Sequence, residues 1–229
     1  LAILSDIHGN FVALKEVLLQ CQSNKVDQVI VLGDQMGYYY DVIEVYRELD
    51  KWPNIILRGN HEDLFLEYQN MNDYEKEKIY LKYGSSFKYL TNEDLIKRIK
   101  SLKRKHVLDL GGDKALFIHD NTSEDYNLYL YPDTDEIILN NEIEKGFKYV
   151  FVGHSHYSFH YQKNQYSLVN VGSVGQNRKE GGIAEWCIFN TTERSVEIIK
   201  TSYNQKQILV KIDKYDPSIR YLKSVLNRK

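Results

Sequence analysis

The sequence has little of what stabilises secreted or membrane proteins. Its 229 residues include two cysteines, Cys21 and Cys187, which are too few for a disulfide scaffold. Each lies in an apolar pattern typical of a buried, inert thiol. No apolar run approaches the roughly 18 residues that a membrane span needs, and residues 1–5 show no basic signal-peptide segment. We therefore expect a soluble, cytoplasmic protein.

The sequence also has no large excess of positive or negative charge and no flexible linker. Lys and Arg total 30 against 32 Asp and Glu, which leaves a net charge of −2 and gives no general attraction to polyanions. Nucleic acid and membranes are therefore not expected partners. The sequence has 3 prolines and 13 glycines, and no window is of low complexity. Because no segment has the composition of a linker, we expect one domain over residues 1–229.

The first half alternates strand and helix patterns. Helical spacing of apolar residues follows Asn10 up to Cys21, and a second helix is predicted over 41–49. Buried strands are predicted at 2–5, 28–32, 55–57, 115–118 and 149–152. This order is typical of doubly wound α/β folds.

A helical insertion of about 62–104 follows, and the second half then turns mostly to strands. Hairpin patterns pair 105–110 with 114–118, 157–162 with 166–171, and 184–189 with 195–201. A last helix is predicted from Asp216, as its cap, and Pro217, as its first residue, to Leu226. We predict an α/β fold in which helices flank a two-sheet mixed β sandwich.

Metal-binding residue types follow five of the predicted strands. Because ligands of open α/β sheets gather at the carboxyl ends of the strands, these side chains should converge in one cleft. Seven nitrogen and oxygen donors are too many for one ion and suit two ions that share a carboxylate. The candidate ligands are Asp6, His8, Asp34, Asn60, His119, His154 and His156.

Five ordered motifs resemble those of the calcineurin-like binuclear metallophosphoesterases: D-x-H at 6–8, G-D at 33–34, G-N-H at 59–61, H at 119 and G-H-x-H at 153–156. The resemblance covers nearly the whole chain. It implies that one ion takes the set Asp6, His8, Asp34 and His156. The other ion would take the set Asp34, Asn60, His119 and His154, so that Asp34 bridges the two.

A bacterial branch of phosphodiesterases and diadenosine tetraphosphatases is more similar still. It resembles this chain in S-D-I-H-G-N at 5–10, R-G-N-H at 58–61, G-S-V-G-Q at 172–176 and the stretch 128–132. Two departures stand out. The second Asp and the Arg of Ser/Thr protein phosphatases are absent after Asp34, and Asp120 follows His119 where many relatives have Gly.

The resemblance implies a mechanism that fits simple charge counting. Two carboxylates against two divalent ions leave +2, and a metal-bridging hydroxide brings this to +1, which attracts a phosphate. That hydroxide would attack phosphorus in line, without a covalent protein intermediate. Mixed carboxylate, amide and imidazole donors suit Mn, Fe, Zn, Co or Ni and do not choose among these divalent ions.

Three further residues are candidates for contact with the substrate. His61 faces the leaving group in the family, which makes it our candidate general acid; the alternative is a residue that only orients the site. Arg58 stands where related phosphatases hold a phosphate oxygen, or else forms a structural ion pair. Arg178 is a second candidate at the cleft mouth. The basic run 97–105 is either a solvated helix face or a contact for a distal phosphate or an RNA backbone.

These observations predict a metal-dependent hydrolase of phosphodiester or phosphoanhydride bonds. The expected substrate class is a nucleotide, such as a dinucleoside polyphosphate or a cyclic nucleotide. One alternative is a non-catalytic scaffold, since the retromer complex contains a calcineurin-like subunit that lacks the full ligand set. The other is a Ser/Thr protein phosphatase-like monoesterase, against which the departure after Asp34 argues.

Overall fold

The strands are short and mostly follow the predicted apolar runs. The computed structural model describes residues 1–123, 125–143 and 146–229. The strands are β1 Ala2–Leu4, β2 Val29–Val31, β3 Asn54–Ile56, β4 Lys105–Asp109, β5 Lys114–Ile118, β6 Tyr149–Val152, β7 Phe159–Lys163, β8 Tyr166–Asn170, β9 Ile183–Asn190 and β10 Ser195–Ser202.

These strands form two mixed sheets of five. The first has the order β10-β9-β1-β2-β3, with β1, β2 and β3 parallel and β9 and β10 antiparallel. The second has the order β4-β5-β6-β8-β7, in which β5, β6 and β8 are parallel. The three predicted hairpins are confirmed.

The helices pack outside the sheets. They are α1 Phe11–Ser23, α2 Val42–Leu49, α3 Asn60–Tyr68, α4 Asp73–Tyr83, α5 Glu93–Ser101, α6 Glu136–Ile143, α7 Lys206–Tyr215 and α8 Arg220–Leu226, with a 3₁₀ turn at Ser86–Tyr89 between α4 and α5. The Asn10 side chain caps α1 by accepting a hydrogen bond from the Ala13 amide, as predicted.

Apolar side chains fill three layers. The inner layer lies between the sheets and includes Ile3, Ile30, Phe117, Phe151 and Phe189. A larger cluster lies between the first sheet and its helices, and a smaller one lies between the second sheet and α6. Two apolar faces on each sheet are what a sandwich flanked by helices requires, so the predicted fold class is confirmed.

The C-terminal region differs from the prediction. Helices α6 and α7 were not predicted, and α8 begins at Arg220 instead of at Asp216 and Pro217. Asp216 is fully buried and does not cap a helix with its side chain. Instead, its Oδ2 accepts hydrogen bonds from the Ser85 amide and hydroxyl and from the Tyr40 hydroxyl. The carboxylate therefore fastens the turn between α7 and α8 to the loop after α4.

Both cysteines are free and buried, as predicted. Burial raises the pKa of each thiol to about 12, so neither is a thiolate at neutral pH. Within the described residues, no helix has the length and apolar character required to cross a bilayer.

Candidate metal centre

The parallel strands of both sheets deliver their loops to one edge of the sandwich. Asp6 and His8 follow β1, Asp34 follows β2, and Asn60 follows β3. The second sheet supplies its residues after β5 and β6. Backbone hydrogen bonds join neighbouring loops, from the Asp6 amide to Gly33 and from the Gly153 amide to His119. The seven predicted ligands are therefore brought together from the ends of five strands that lie far apart in sequence.

Five of the seven residues have left-handed backbone conformations. The φ angles are +54° for Asp6, +52° for His8, +56° for Asp34, +65° for His154 and +62° for His156. Such conformations cost non-glycine residues about 1–3 kcal/mol each and persist where the surrounding structure enforces them. Their concentration here makes this edge the candidate functional site.

The first group of donors consists of Asp6, His8 and His156. Nδ1 of His8 lies 2.8 Å from the Met36 carbonyl, and Nδ1 of His156 lies 2.8 Å from the Gln176 carbonyl. A carbonyl oxygen only accepts, so each Nδ1 is the protonated nitrogen and each Nε2 carries a lone pair. These two Nε2 atoms face each other at 3.1 Å and lie 3.6 and 3.2 Å from Asp6 Oδ1.

The second group lies on the other side of Asp34. Nε2 of His119 is 3.3 Å from Asp34 Oδ2 and 3.0 Å from Asn60 Oδ1. The same Asp34 oxygen is 3.9 Å from His8 Nε2, so it lies between the two groups. The ring centroid of His154 is 5.1 Å from that of His119. Because His154 Nε2 donates to the Tyr126 carbonyl at 2.9 Å, its Nδ1 is left with the lone pair.

The donors fit divalent transition metals. Asp6 Oδ1 is buried and has no hydrogen-bond partner in the described part of the chain, and two imidazole lone pairs point towards it. Such a cluster is repulsive by itself and becomes favourable around a cation. Carboxylate, amide and imidazole donors are the types that bind these metals in proteins.

The electrostatics also favour positive charge at this position. Burial opposes the ionisation of Asp6 and Asp34, but nearby imidazoles hold the pKa of both carboxyls below the usual range, above all His156 for Asp6 and His119 for Asp34. Burial opposes protonation of His119, yet the Asp34 carboxylate raises its pKa to about 10. Burial and His119 lower the pKa of His154 to about 3, so this side chain is a neutral imidazole.

His61 lies beside the donors and lines the cleft. Its backbone amide donates to Asp34 Oδ1 at 2.8 Å, and its Nε2 lies 4.0 Å from Asp34 Oδ2. Tyr83 packs against the ring at a centroid distance of 4.8 Å. A Cβ on Gly37, where φ is +88°, would meet His61 Nδ1 at 2.1 Å, so the ring position requires glycine there. Burial lowers the pKa of His61 to about 3.

Glu62 supports the site from behind and was missed by the sequence analysis. Its Oε2 accepts hydrogen bonds from the amides of Asp34 and Gly59, both at 2.8 Å, and its Oε1 accepts from the Gln35 amide at 2.9 Å. One buried carboxylate thus joins the loops that carry Asp34 and Asn60. Burial and the nearby Asp34 raise the pKa of Glu62 to about 8. Glu62 lies three residues after Gly59, the N-cap residue of α3, which is the spacing at which a Glu accepts a hydrogen bond from the N-cap amide.

The donors open into a cleft of about 390 Å³. Arg178, a candidate for substrate contact, lines this cleft. Its Nε has no partner and its guanidinium has no carboxylate partner within the described residues; its nearest polar contact is Gln176 Oε1 at 3.3 Å. The sequence analysis missed several other residues that line the cleft. Two are on α4, two are in the segment that precedes α6, and one is on α8. They are Lys82, Tyr83, Tyr129, Tyr131 and Tyr221.

Arg58 lies outside this lining. Its Nε is 3.1 Å from Asp63 Oδ1, which is the structural ion pair that was the alternative for this residue. The basic run 97–105 also points elsewhere, since Arg98 forms a bidentate pair with Asp50 and Arg104 pairs with Asp63 at 2.6 Å. No residue of that run is among those that line the cleft.

Known proteins share this sequence pattern and this fold. An uncharacterized protein of Methanocaldococcus jannaschii is 29% identical over 240 aligned positions, which cover 93% of this chain and 92% of the relative. A hypothetical protein of Pyrococcus horikoshii has a similar structure, with a TM-score of 0.84 at 18% identity over 100% of this chain and 97% of the other. A metallophosphoesterase of Sphaerobacter thermophilus gives 0.78 at 22% identity, covering 98% and 96%.

These two structures support the fold alone, because their identity with this chain is low. The family follows from the sequence. Residues 1–194 match the model of the calcineurin-like phosphoesterase superfamily domain, and all seven donors lie within that match. The chain therefore belongs to the calcineurin-like phosphoesterase superfamily.

Proposed function

We propose that this protein hydrolyses phosphodiester or phosphoanhydride bonds with two divalent metal ions held by the seven donors. The observation that carries the proposal is the position of Asp34 Oδ2, 3.3 Å from His119 Nε2 and 3.9 Å from His8 Nε2. A carboxylate oxygen between imidazole nitrogens of two donor groups is the arrangement expected of a bridging ligand in a binuclear centre. Family membership supports a hydrolase.

The bound ions would activate water for in-line attack and neutralise charge on the phosphoryl oxygens. The residues of the chain contribute position and shape. Backbone carbonyls fix the tautomers of His8, His154 and His156, and Glu62 fixes the loops of Asp34 and Asn60. No main-chain rearrangement is needed to bring these donors within reach of one another.

His61 is our candidate for the group that assists the leaving oxygen. Its ring lines the cleft, and its Nδ1 has no partner within the described residues. It is a neutral imidazole before the substrate arrives, because burial lowers its pKa to about 3. Negative charge from a bound phosphate would favour its protonation. Without that proton it would still donate one N–H hydrogen bond, so a leaving-group comparison is needed to separate the two roles.

We assign the phosphate contact to Arg178 and not to Arg58. The Arg178 guanidinium faces the cleft without a carboxylate partner in the described residues, whereas Arg58 is paired with Asp63. Lys82, from α4, lines the same cleft. Two cations beyond the donor cluster match a substrate that carries anionic charge besides its reacting phosphate.

The aromatic lining supports a nucleotide as the substrate class. Tyr83, Tyr129, Tyr131 and Tyr221 all border the cleft, and Tyr129 and Tyr131 are nearly parallel, with a 13° interplanar angle. Both residues remain partly exposed, at 42% for Tyr129 and 38% for Tyr131. Partly exposed rings beside cations are suited to stacking a base while the phosphates contact Arg178 and Lys82.

The manganese-loaded protein should hydrolyse a dinucleoside polyphosphate with a kcat/KM at least about tenfold above that of a small aryl phosphate. This ratio needs only about 1.4 kcal/mol of extra transition-state binding. Arg178→Met and Lys82→Met should each reduce the ratio, because they remove contacts that the aryl phosphate does not use. Steady-state kinetics on both substrates measure this ratio of kcat/KM values.

Lys100→Met is the matched control, because Lys100 is exposed and outside the cleft lining. It should leave both kcat/KM values unchanged. Equal efficiency on the two substrates would contradict the nucleotide assignment while leaving hydrolysis intact. A protein that binds two ions but hydrolyses neither these substrates nor a generic aryl phosphodiester would instead favour the scaffold alternative.

A further inference from the structure

The segment 126–131, which precedes α6, contacts His154 on two sides. The Tyr126 carbonyl accepts a hydrogen bond from His154 Nε2 at 2.9 Å. The Tyr129 ring stacks on the imidazole, with the centroids 4.1 Å apart and the planes 20° apart. One contact fixes the rotation of the ring and the other fixes its plane. We call residues 126–131 the His154 clamp.

The clamp is anchored at both ends. The Tyr126 hydroxyl donates to Asp63 Oδ2 at 2.6 Å, and Asp63 also pairs with Arg58 and Arg104. The Arg104 guanidinium lies over the Tyr126 ring, 5.1 Å from its centroid. At the other end, the Leu130 carbonyl accepts a hydrogen bond from the Ser155 hydroxyl at 2.7 Å. The Asp63 carboxylate at the centre of this network is mostly buried, since 17% of its side chain is exposed.

We propose that Asp63 and Tyr126 are positioning residues for His154: they hold the Tyr126 carbonyl against Nε2, so that Nδ1 is the nitrogen presented to the metal centre. A carbonyl cannot donate, so this contact keeps the proton on Nε2 and the lone pair on Nδ1. The inference rests on the proposed function in one respect, namely that His154 binds an ion.

The network also couples two donors of the same group. Asp63 is on α3, three residues after Asn60, and its carboxylate reaches the clamp that holds His154. The positions of Asn60 and His154 relative to each other therefore depend on the hydrogen bond between Asp63 and Tyr126. The other group does not depend on it, since the Met36 and Gln176 carbonyls fix His8 and His156.

This asymmetry gives a test by metal binding. Chelator-treated protein is titrated with Mn²⁺ by calorimetry, as wild type, Tyr126→Phe and Asp63→Asn. Loss of an outer hydrogen-bond partner of a ligand typically weakens metal affinity 10–100-fold. We expect the affinity for one of the two ions to fall about 10–100-fold in both variants, while the affinity for the other ion stays within about twofold.

Two controls remove equivalent interactions elsewhere. Tyr161→Phe deletes a tyrosine hydroxyl that donates to Asn140 Oδ1 at 2.9 Å, and Asp50→Asn weakens the bidentate pair with Arg98. Neither should change either affinity. Unchanged affinities in Tyr126→Phe and Asp63→Asn, or an equal loss at both sites, would overturn the proposal.

A second readout does not depend on metal or activity. In the metal-free wild type, ring-nitrogen NMR should show His154 protonated at Nε2, and in Tyr126→Phe it should show a mixture of tautomers. An unchanged tautomer in that variant would overturn the positioning role. If the wild type binds fewer than two ions, the binuclear proposal fails, and the tautomer measurement still decides the role of the clamp.

Discussion

Asp34→Asn should abolish hydrolysis, with a loss of more than about 10³-fold, or about 4 kcal/mol of transition-state stabilisation, and should lower the metal content. Asp34 Oδ2 faces His119 on one side and His8 on the other. A neutral amide has no negative oxygen to place between two cations. The substitution keeps the shape of the side chain. It also keeps an oxygen at the position of Oδ1, which can accept the hydrogen bond from the His61 amide.

Elemental analysis and turnover on an aryl phosphodiester measure the two effects together. Asp50→Asn is the matched control, since Asp50 lies on the surface in a pair with Arg98. This control should retain both its metal and its rate. Near-normal turnover of Asp34→Asn with two ions bound would be incompatible with a bridging role.

His61→Ala should keep its metal and lose about 10²- to 10⁴-fold in rate, the usual contribution of a general acid. His61 lies outside the seven donors, yet its ring lines the cleft. If it donates a proton, the loss should depend on the leaving group. An ester with a basic alkoxide should suffer more than a nitrophenyl ester, whose leaving group departs without help.

The comparison needs both substrates and a metal analysis. His160→Ala provides a control, because His160 is on β7 and contacts Ser167 Oγ at 3.2 Å, away from the donors. Equal losses on both esters would show that His61 positions the site without donating a proton. A loss of metal would instead place His61 among the ligands, since it lies within reach of Asp34 and His8.

The donors were predictable because they directly follow strands. A buried strand has a clear apolar pattern, and parallel strands of one sheet end at the same edge, so Asp6 and Asp34 were expected to converge once β1 and β2 were recognised. His119 follows β5 of the other sheet, and the packing of the two sheets brings it to the same edge. The chemistry of the side chains is the basis on which we propose a metal at this edge. The same strands predicted the sandwich, because a buried sheet has two apolar faces and each must pack against another layer.

Features that depend on packing between distant segments were not predictable. Asp216 has the sequence of a helix cap, but its carboxylate is used by Ser85 and Tyr40. Arg58 stands at a strand end near the donors, yet Asp63, on the following helix, pairs with it. The cleft walls come from segments such as α4 and α8, whose orientation no local pattern reveals.

Activity measured during a manganese titration of chelator-treated protein tests the binuclear site most directly. The metal-free protein should be inactive, two Mn²⁺ ions should bind per chain, and activity should rise with occupancy of the second ion. This outcome is expected because Asp34 Oδ2 lies 3.3 Å from His119 Nε2 and 3.9 Å from His8 Nε2, between the donors proposed for the two ions. Activity that survives chelation, or full activity at one ion per chain, would contradict a two-metal hydrolase.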